Sequence, residues 1–267
     1  MVEAVFPEVH IVSRPQMDHW AVREYLNSVG ADDWGFSPRE DEDVERGDDD
    51  MLVELYGRLC YKSFGVGLNA NVTRVREDPK AYLENVLKSG HGSVLEHVNI
   101  GVIFNNVSRV FTHEIVRHRA GTAMSQESLR YVRLDHLKFN MPPEIQARPD
   151  IEERAYEVLL ALEEFQRYLA REFDIDSLGF EEKKRLTSSF RRFAPIGLAT
   201  TIAFTANVRA WRHMIEMRTS RHAEQEIRLV FDEVASRFSS EMPLLFGDFS
   251  REVVLGIGEW TTPYSKV

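Results

Sequence analysis

A single cysteine, Cys60, stands in a chain of 267 residues, so an internal disulfide framework and a cysteine zinc cluster are both excluded. Apolar runs are short. None approaches the roughly 18 residues of a membrane-spanning helix, and no membrane association is expected. The opening stretch MVEAVFPEVHIVSRPQ lacks a basic start followed by an apolar segment, so no secretory leader is expected and the cytoplasm is the expected compartment. No GxGxxG step follows a strand and no βαβ rhythm runs along the chain, which argues against a Rossmann cofactor site. No GxSxG elbow is present, and Cys60 in LYGRLCYKSF reads as a small core residue near a helix end rather than a nucleophile.

Charge is present in quantity and unevenly spread. The formal net charge of −10 taken alone argues against nucleic acid as a partner. Residues 32–50, however, hold ten acids against Arg39 and Arg46, a net of −8, which leaves only −2 for everything else. Within that remainder, residues 185–221 carry seven arginines, no lysine and one acid, Glu216. Residues 109–133 carry five arginines against Glu114 and Glu127. Arginine without lysine is what bidentate recognition of phosphate or carboxylate favours, although arginines on solvated helix faces would read the same way.

Apolar spacing predicts helices over 17–29, from Asp48–Asp50 to about Tyr61, over 77–88, from Arg109 to about Arg117, and over 150–172, 181–192, 208–220 and 222–241. Asp48–Asp50 would cap the second of these, and Ser108 the helix that starts at Arg109. Strands are expected over 97–106 and 199–206, with an exposed loop over 30–47. The expected class is α+β, helices packed on a mainly antiparallel sheet. Residues 1–50 read as an N-terminal extension with the acidic loop, and residues 51–267 as a single domain.

Two local patterns bear on chemistry. His113-Glu-Ile-Val-Arg-His118 invites comparison with HExxH, but its histidines are five apart, roughly 140° around a helix, so no metal site is expected. The run from Arg117 to Arg133 is different. It combines Arg117, His118 and Arg119 with a small Ala-Gly-Thr step, the polar Ser125, Gln126 and Ser128, and then Arg130. A helix that ends in cations and enters a polar turn can hold several phosphates.

Arg117-His118-Arg119, followed by Ser125-Gln126-Glu127-Ser128-Leu129-Arg130-Tyr131, resembles the motif of flavin-dependent thymidylate synthases: Arg-His-Arg, seven residues, then Ser, with Arg-Tyr close behind. Gly90-His91-Gly92-Ser93-Val94-Leu95-Glu96-His97 resembles that family's histidine-containing turn, and Arg191-Arg-Phe-Ala-Pro195 its Arg-x-x-x-Pro segment. Asn207-Val-Arg209, Met217-Arg218 and His222-Ala-Glu-Gln-Glu226 resemble its C-terminal flavin and nucleotide helices. The pieces occur in order from about Leu52 to Phe249. Three departures stand out. The motif serine is expected at 127, where this chain has Glu127, and Ser128 comes one residue later, consistent with a one-residue insertion within Ala120–Met124. His213 stands where an amide is usual, and residues 1–50 are longer than the common pattern.

The resemblance implies a thymidylate synthase-complementing-protein-like fold. It also implies methylation of a pyrimidine nucleotide at C5, dUMP to dTMP, with FAD as cofactor, methylenetetrahydrofolate as carbon donor and NADPH as hydride source. No enzyme cysteine would attack the pyrimidine. Ser63, Ser93, Glu96, Arg117, His118, Arg119, Ser125, Asn207, Arg209, His213 and His222 would hold the flavin, with His91 near the flavin ring and folate. Glu114, Gln126, Ser128, Arg130, Arg191 and Arg218 would hold the nucleotide. Arg218, placed beside the pyrimidine, would stabilise negative charge developing on it. Glu96 and His97 could equally form a structural pair. The resemblance implies a homotetramer with active sites shared between subunits. The shifted serine leaves the same chemistry on another pyrimidine nucleotide, such as UMP, as an alternative. A non-catalytic nucleotide- or RNA-binding role is a third reading, disfavoured by the net charge.

Overall fold

The computed structural model describes residues 2–32, 34, 46–130, 134 and 136–265. Most of the acidic loop, and Tyr131 and Arg133 of the arginine-rich run, lie outside the described residues. In chain order the elements are strands β1 (Glu3–Val5) and β2 (Glu8–Ser13), helices α1 (His19–Ser28), α2 (Asp48–Tyr61) and α3 (Pro79–Lys88), and strand β3 (Asn99–Ser108). Helix α4 (Arg109–Ile115), strands β4 (Thr122–Gln126) and β5 (Lys138–Asn140), and helices α5 (Pro143–Gln146), α6 (Pro149–Glu172) and α7 (Phe180–Phe190) follow. The chain then forms strand β6 (Ala199–Asn207), helices α8 (Val208–Thr219), α9 (Gln225–Glu241) and α10 (Pro243–Phe246), and strands β7 (Ser250–Val254) and β8 (Ile257–Thr261). This is the expected α+β class. No described helix is long and apolar enough to cross a membrane.

Side-chain caps explain where most helices start. The Asp18 carboxylate accepts from the N–H groups of Trp20 and Ala21, and Asp78 does the same for Lys80 and Ala81 ahead of Pro79. Ser108 accepts from Val110 and Phe111, as expected, and Asn207 accepts from Ala210. Helix α2 departs from expectation. Its N-cap is Gly47, and the three acids form its first turn. Asp49 and Asp50 are buried, with one carboxylate oxygen of each lacking a hydrogen-bond partner among the described residues.

The principal sheet has the order β2-β3-β6-β4. Gly101 lies against Thr205, and Asn105 accepts from the Thr201 hydroxyl at 2.9 Å, so β3 and β6 run antiparallel. Their inward residues alternate as a half-buried sheet requires. Ile100, Val102 and Phe104 on β3, and Ile202, Phe204 and Ala206 on β6, are fully buried. Each large one contributes about 1.5–3 kcal/mol by leaving water.

Strand β4 corrects the expectation of a polar turn. The Asn207 N–H donates to the Gly121 carbonyl at 3.1 Å, and the Glu127 N–H to the Thr201 carbonyl at 2.9 Å. The six-residue steps 121–127 and 201–207 match, so no bulge interrupts the pairing between them. Sequence pattern does not mark this edge strand, because its residues are exposed or half-buried throughout. Two small sheets complete the structure, a parallel β1–β5 pair and the antiparallel β7–β8 hairpin. Cys60 is exposed at the end of α2 rather than in the core, with its thiol 3.5 Å from the Tyr56 carbonyl.

The chain forms two compact units. The first comprises Met1–His10, Val102–Arg119 and Met124–Phe204, with a core cluster around Leu129, Leu137, Leu159 and Leu198. The second comprises Ile11–Gly101, Ala120–Ala123 and Thr205–Val267, with a cluster around Met17, Leu26, Met51, Leu55 and Phe64.

Burial, and after it the charge of Asp49, pushes the Asp50 carboxyl from 3.8 up to about 7. Between those values the folded chain keeps a proton that the unfolded chain has lost. Stability therefore falls as pH rises through that window. Asp50→Asn removes the charge and keeps an acceptor for the Gly47 N–H, 3.4 Å away. The variant is expected to melt about 2–4 °C or more above wild type at pH 8, the shift given by ~1 kcal/mol in a chain of this size, with little change at pH 4. Melting curves at the two pH values check this, and a lower melting temperature at pH 8 would contradict it.

Candidate active site

Helix α8 and the turn after it bring three of the expected site residues to one place. His213, Arg218 and His222 line a cavity of about 520 Å3 together with Glu216, Met217, Ser220 and Ala223. Arg218 is buried, at 8% exposure, whereas His213 and His222 are exposed. The cavity thus offers two imidazoles at its surface and a guanidinium within.

The other arginines of this region divide by partner. Arg212 is buried and bonds bidentately to Asp248 at 2.6 and 2.7 Å and to the Leu245 carbonyl at 2.5 Å. Arg228 is buried and reaches the carbonyls of Thr219 and Val254. Arg221 pairs with Glu259 at 2.7 Å, and that hydrogen bond holds the Glu259 carboxyl below its ordinary value despite partial burial. These three cations are held by the fold itself.

Ser63 and His91 belong to a neighbourhood organised by Arg58, which is 1% exposed. Its guanidinium donates to Glu54 at 2.7 Å, to the Ser63 carbonyl at 3.0 Å and to the Arg76 carbonyl at 2.6 Å, and lies 4.2 Å from the Tyr82 ring centroid. Glu54 also accepts from Arg46. The Ser63 hydroxyl has no hydrogen-bond partner among the described residues. His91 follows Gly90, whose φ of +69° turns the chain out of α3, and its ring stacks on Tyr61 with centroids 6.1 Å apart. The next residues, Gly92–His97, form a 3-10 turn with Ser93 and Glu96 exposed. Glu96 pairs with Arg209 at 2.6 Å, linking two expected flavin residues, while His97 stacks on Tyr56 at 4.2 Å. Glu96 and His97 therefore have separate partners.

Asn207 uses its Oδ1 to cap α8, leaving its amide group beside Gly121. Gly121 has φ +67°, and a Cβ there would lie 2.3 Å from Asn207 Nδ2.

The first unit holds the remaining expected residues. Helix α4 ends one residue short of Val116, so Arg117, His118 and Arg119 follow its last turn. Arg117 lies 3.6 Å from Glu114, and Arg119 is exposed without a side-chain partner among the described residues. Ser125 is exposed on β4, and Gln126 donates to the Thr112 hydroxyl at 3.3 Å. The Ser128 hydroxyl accepts the Arg130 N–H at 3.3 Å, leaving the Arg130 guanidinium exposed and unpaired among the described residues. Arg191 begins a 3-10 turn and lines a second cavity of about 500 Å3 with Arg167, Arg171 and His136.

Sequence reasoning passed over Arg109, which donates to the Glu127 carbonyl at 3.3 Å and whose buried Nε has no partner. Burial lowers its pKa. A basic residue in a first helical turn, against the helix dipole, was the available signal. Glu259 carried no local signal, since its partner Arg221 lies 38 residues away, whereas Arg58 could have been marked by its i,i+4 spacing from Glu54.

The fold matches that of nucleotide methylases. Solved structures of the UMP/dUMP methylase PolB from Streptomyces cacaoi, bound with 5-Br UMP or 5-Br dUMP, share it at TM-score 0.59. The likeness covers 92% of this chain and 95% of theirs, at 14% and 15% identity. Residues 44–244 match the family described as thymidylate synthase complementing protein. The flavin-dependent thymidylate synthase of Corynebacterium diphtheriae is 32% identical over 222 residues, 81% of this chain and 86% of the relative. That of Mycobacterium avium is 33% identical over 206 residues, 74% and 78% respectively. The protein is a methyltransferase of a flavin-dependent class. More narrowly, the chain belongs to the flavin-dependent thymidylate synthase family. Membership sets aside the reading as a non-catalytic RNA binder.

Gly121→Ala forces a Cβ into Asn207 and into a left-handed backbone. It is expected to cost about 1 kcal/mol or more of stability, a lower urea midpoint with unchanged slope. An unaltered midpoint would show that Gly121 is not required for this close approach.

Proposed function

We propose that the chain converts dUMP to dTMP by C5 methylation, with FAD as cofactor, methylenetetrahydrofolate as carbon donor and NADPH as hydride source. The cavity that gathers His213, Arg218 and His222 carries this reading. The donor set suits a dinucleotide cofactor. The second unit offers imidazoles at the cavity surface and a close backbone approach at Gly121 with Asn207 beside it, and in the first unit Arg119 has no side-chain partner among the described residues. We assign Ser63, Ser93, Glu96, Arg117, His118, Arg119, Ser125, Asn207, Arg209, His213 and His222 to holding FAD. When bound, FAD supplies the redox chemistry that no protein side chain can.

The residues of the chain position and stabilise. Ser128, Gln126, Glu114 and Arg130 orient the nucleotide, with Arg191 on its phosphate. Arg218 neutralises charge that builds on the pyrimidine. Its burial matters, because a cation in a poorly solvated place acts more strongly on charge nearby. His91 sits at the folate side. No cysteine attacks the pyrimidine in this reading, so Cys60 is given no part. Assembly as a homotetramer with shared sites belongs to the same proposal.

A second reading is methylation of UMP. The motif serine is displaced to Ser128, and the related PolB structures hold both a ribose and a deoxyribose analogue.

Purified protein is expected to show a flavin absorbance spectrum or to acquire one with added FAD, and to turn over dUMP in preference to UMP. Protein that binds no FAD would overturn the reading, and a preference for UMP would select the second one. Arg218→Gln is expected to keep the flavin spectrum and lose about 100-fold or more in kcat. Undiminished turnover would remove Arg218 from its role.

A further inference from the structure

The β7–β8 hairpin lies beyond residue 244, where the family match ends. Asp232 on α9 anchors it. That carboxylate accepts from Arg251 twice at 2.8 Å, from the Gly258 N–H at 2.8 Å and from the Trp260 indole N–H at 2.8 Å. Gly258 is required for this approach, since a Cβ there would lie 2.2 Å from Asp232 Oδ1.

The anchored hairpin reaches the turn after α8. The Trp260 N–H donates to the Thr219 hydroxyl at 2.9 Å. Glu259 accepts from the backbone N–H of Arg221 at 3.2 Å through one oxygen, and from the Arg221 guanidinium at 3.0 and 2.7 Å through the other. A single carboxylate thus holds both the backbone and the side chain of Arg221. The residues between alternate in direction. Thr219 and Arg221 bond to the hairpin, while Arg218, Ser220, His222 and Ala223 line the cavity. One side of the turn is fixed by the hairpin, and the other side faces the site.

We infer that Glu259 is a positioning residue for the flavin cavity, acting through Arg221 to hold the turn that presents Ser220 and His222. The inference rests on the assignment of this cavity to the flavin. Glu259 touches none of the lining residues' side chains in the hydrogen bonds described, so its effect passes through the backbone of the turn. The hairpin supplies this carboxylate, and among the described residues none within the family-matched region bonds the Arg221 side chain.

Two readouts test this on the full-length protein. The first is amide hydrogen exchange without flavin. Glu259→Ala is expected to speed exchange in residues 220–223 by about tenfold, as local opening replaces two held donors, while strand 250–254 exchanges as in wild type. The second is FAD titration. Glu259→Ala is expected to weaken FAD binding by about tenfold, a loss of the size expected for a misplaced contact, with kcat at saturating FAD reduced less. Glu259→Gln keeps an acceptor for the Arg221 N–H and is expected to fall between, and Glu259→Asp to recover most of the affinity. Arg237→Gln breaks an exposed pair with Glu233 elsewhere on α9 and is expected to change neither readout.

Unchanged exchange in 220–223 overturns the inference, and so does faster exchange with undiminished FAD affinity. If wild-type protein binds no FAD, the assignment of the cavity fails, and exchange alone still decides whether Glu259 holds the turn.

Discussion

A guanidinium cannot shed its charge, so an arginine taken into the interior forces the surrounding chain to meet it. Arg58, Arg212, Arg218 and Arg228 are all buried. Arg58 gathers the end of α2, the Ser63 carbonyl, the stretch before α3 and the Tyr82 ring around one cation. Arg212 ties α8 to Asp248 and the Leu245 carbonyl, and Arg228 ties α9 to the last residue of α8 and to β7. Removing either partner of such a pair leaves an uncompensated charge, which is costlier than the pair is stabilising. These contacts fix the segments that carry Ser63, His91, Arg218 and His222.

The same constraint explains which parts of the fold were legible. Capped helices could be read where the cap and the apolar period lie within one segment, as with Ser108 before α4. Strands β3 and β6 could be read because one face is buried and the other is not. Strands β1 and β5 have three residues each, too few for a period, and β4 and β7 bury no residue at all. The acids at the start of α2 were read as favourable partners of the helix dipole. Their burial reverses the balance for Asp49 and Asp50, because losing water raises the carboxyl pKa more than backbone hydrogen bonds and nearby arginines lower it.

For the site, the residue types were legible and their division of labour was not. The stretch 185–221 has arginines at 212, 218 and 221 in similar surroundings by sequence. Asp248 and Glu259, the acids that take up Arg212 and Arg221, lie 36 and 38 residues further on. No spacing rule links them. Net charge misled for a related reason: most of it belongs to the acidic stretch 32–50, whereas Arg119, Arg130 and Arg191 stand unpaired among the described residues.

The displaced motif serine acquires a physical meaning from β4. An extra residue between Arg119 and Ser128 could have been absorbed in a floppy loop, leaving the serine where the family has it. Equal spans of β4 and β6 between two backbone bonds remove that option from residues 121–127. A strand has period two, so a shift of one residue along β4 exchanges the faces of its side chains. Ser125 and Gln126 therefore point to opposite faces of the sheet, which agrees with the proposed division between Ser125 on the flavin and Gln126 on the nucleotide. Discrimination between a ribose and a deoxyribose needs only one polar group placed for, or withheld from, the 2′-hydroxyl, because a buried polar group left unpaired is costly. Under the proposed assignment of the nucleotide site, that choice falls to residues on and just beyond a strand edge, so sugar preference would be a property of the folded backbone as much as of the residues it carries.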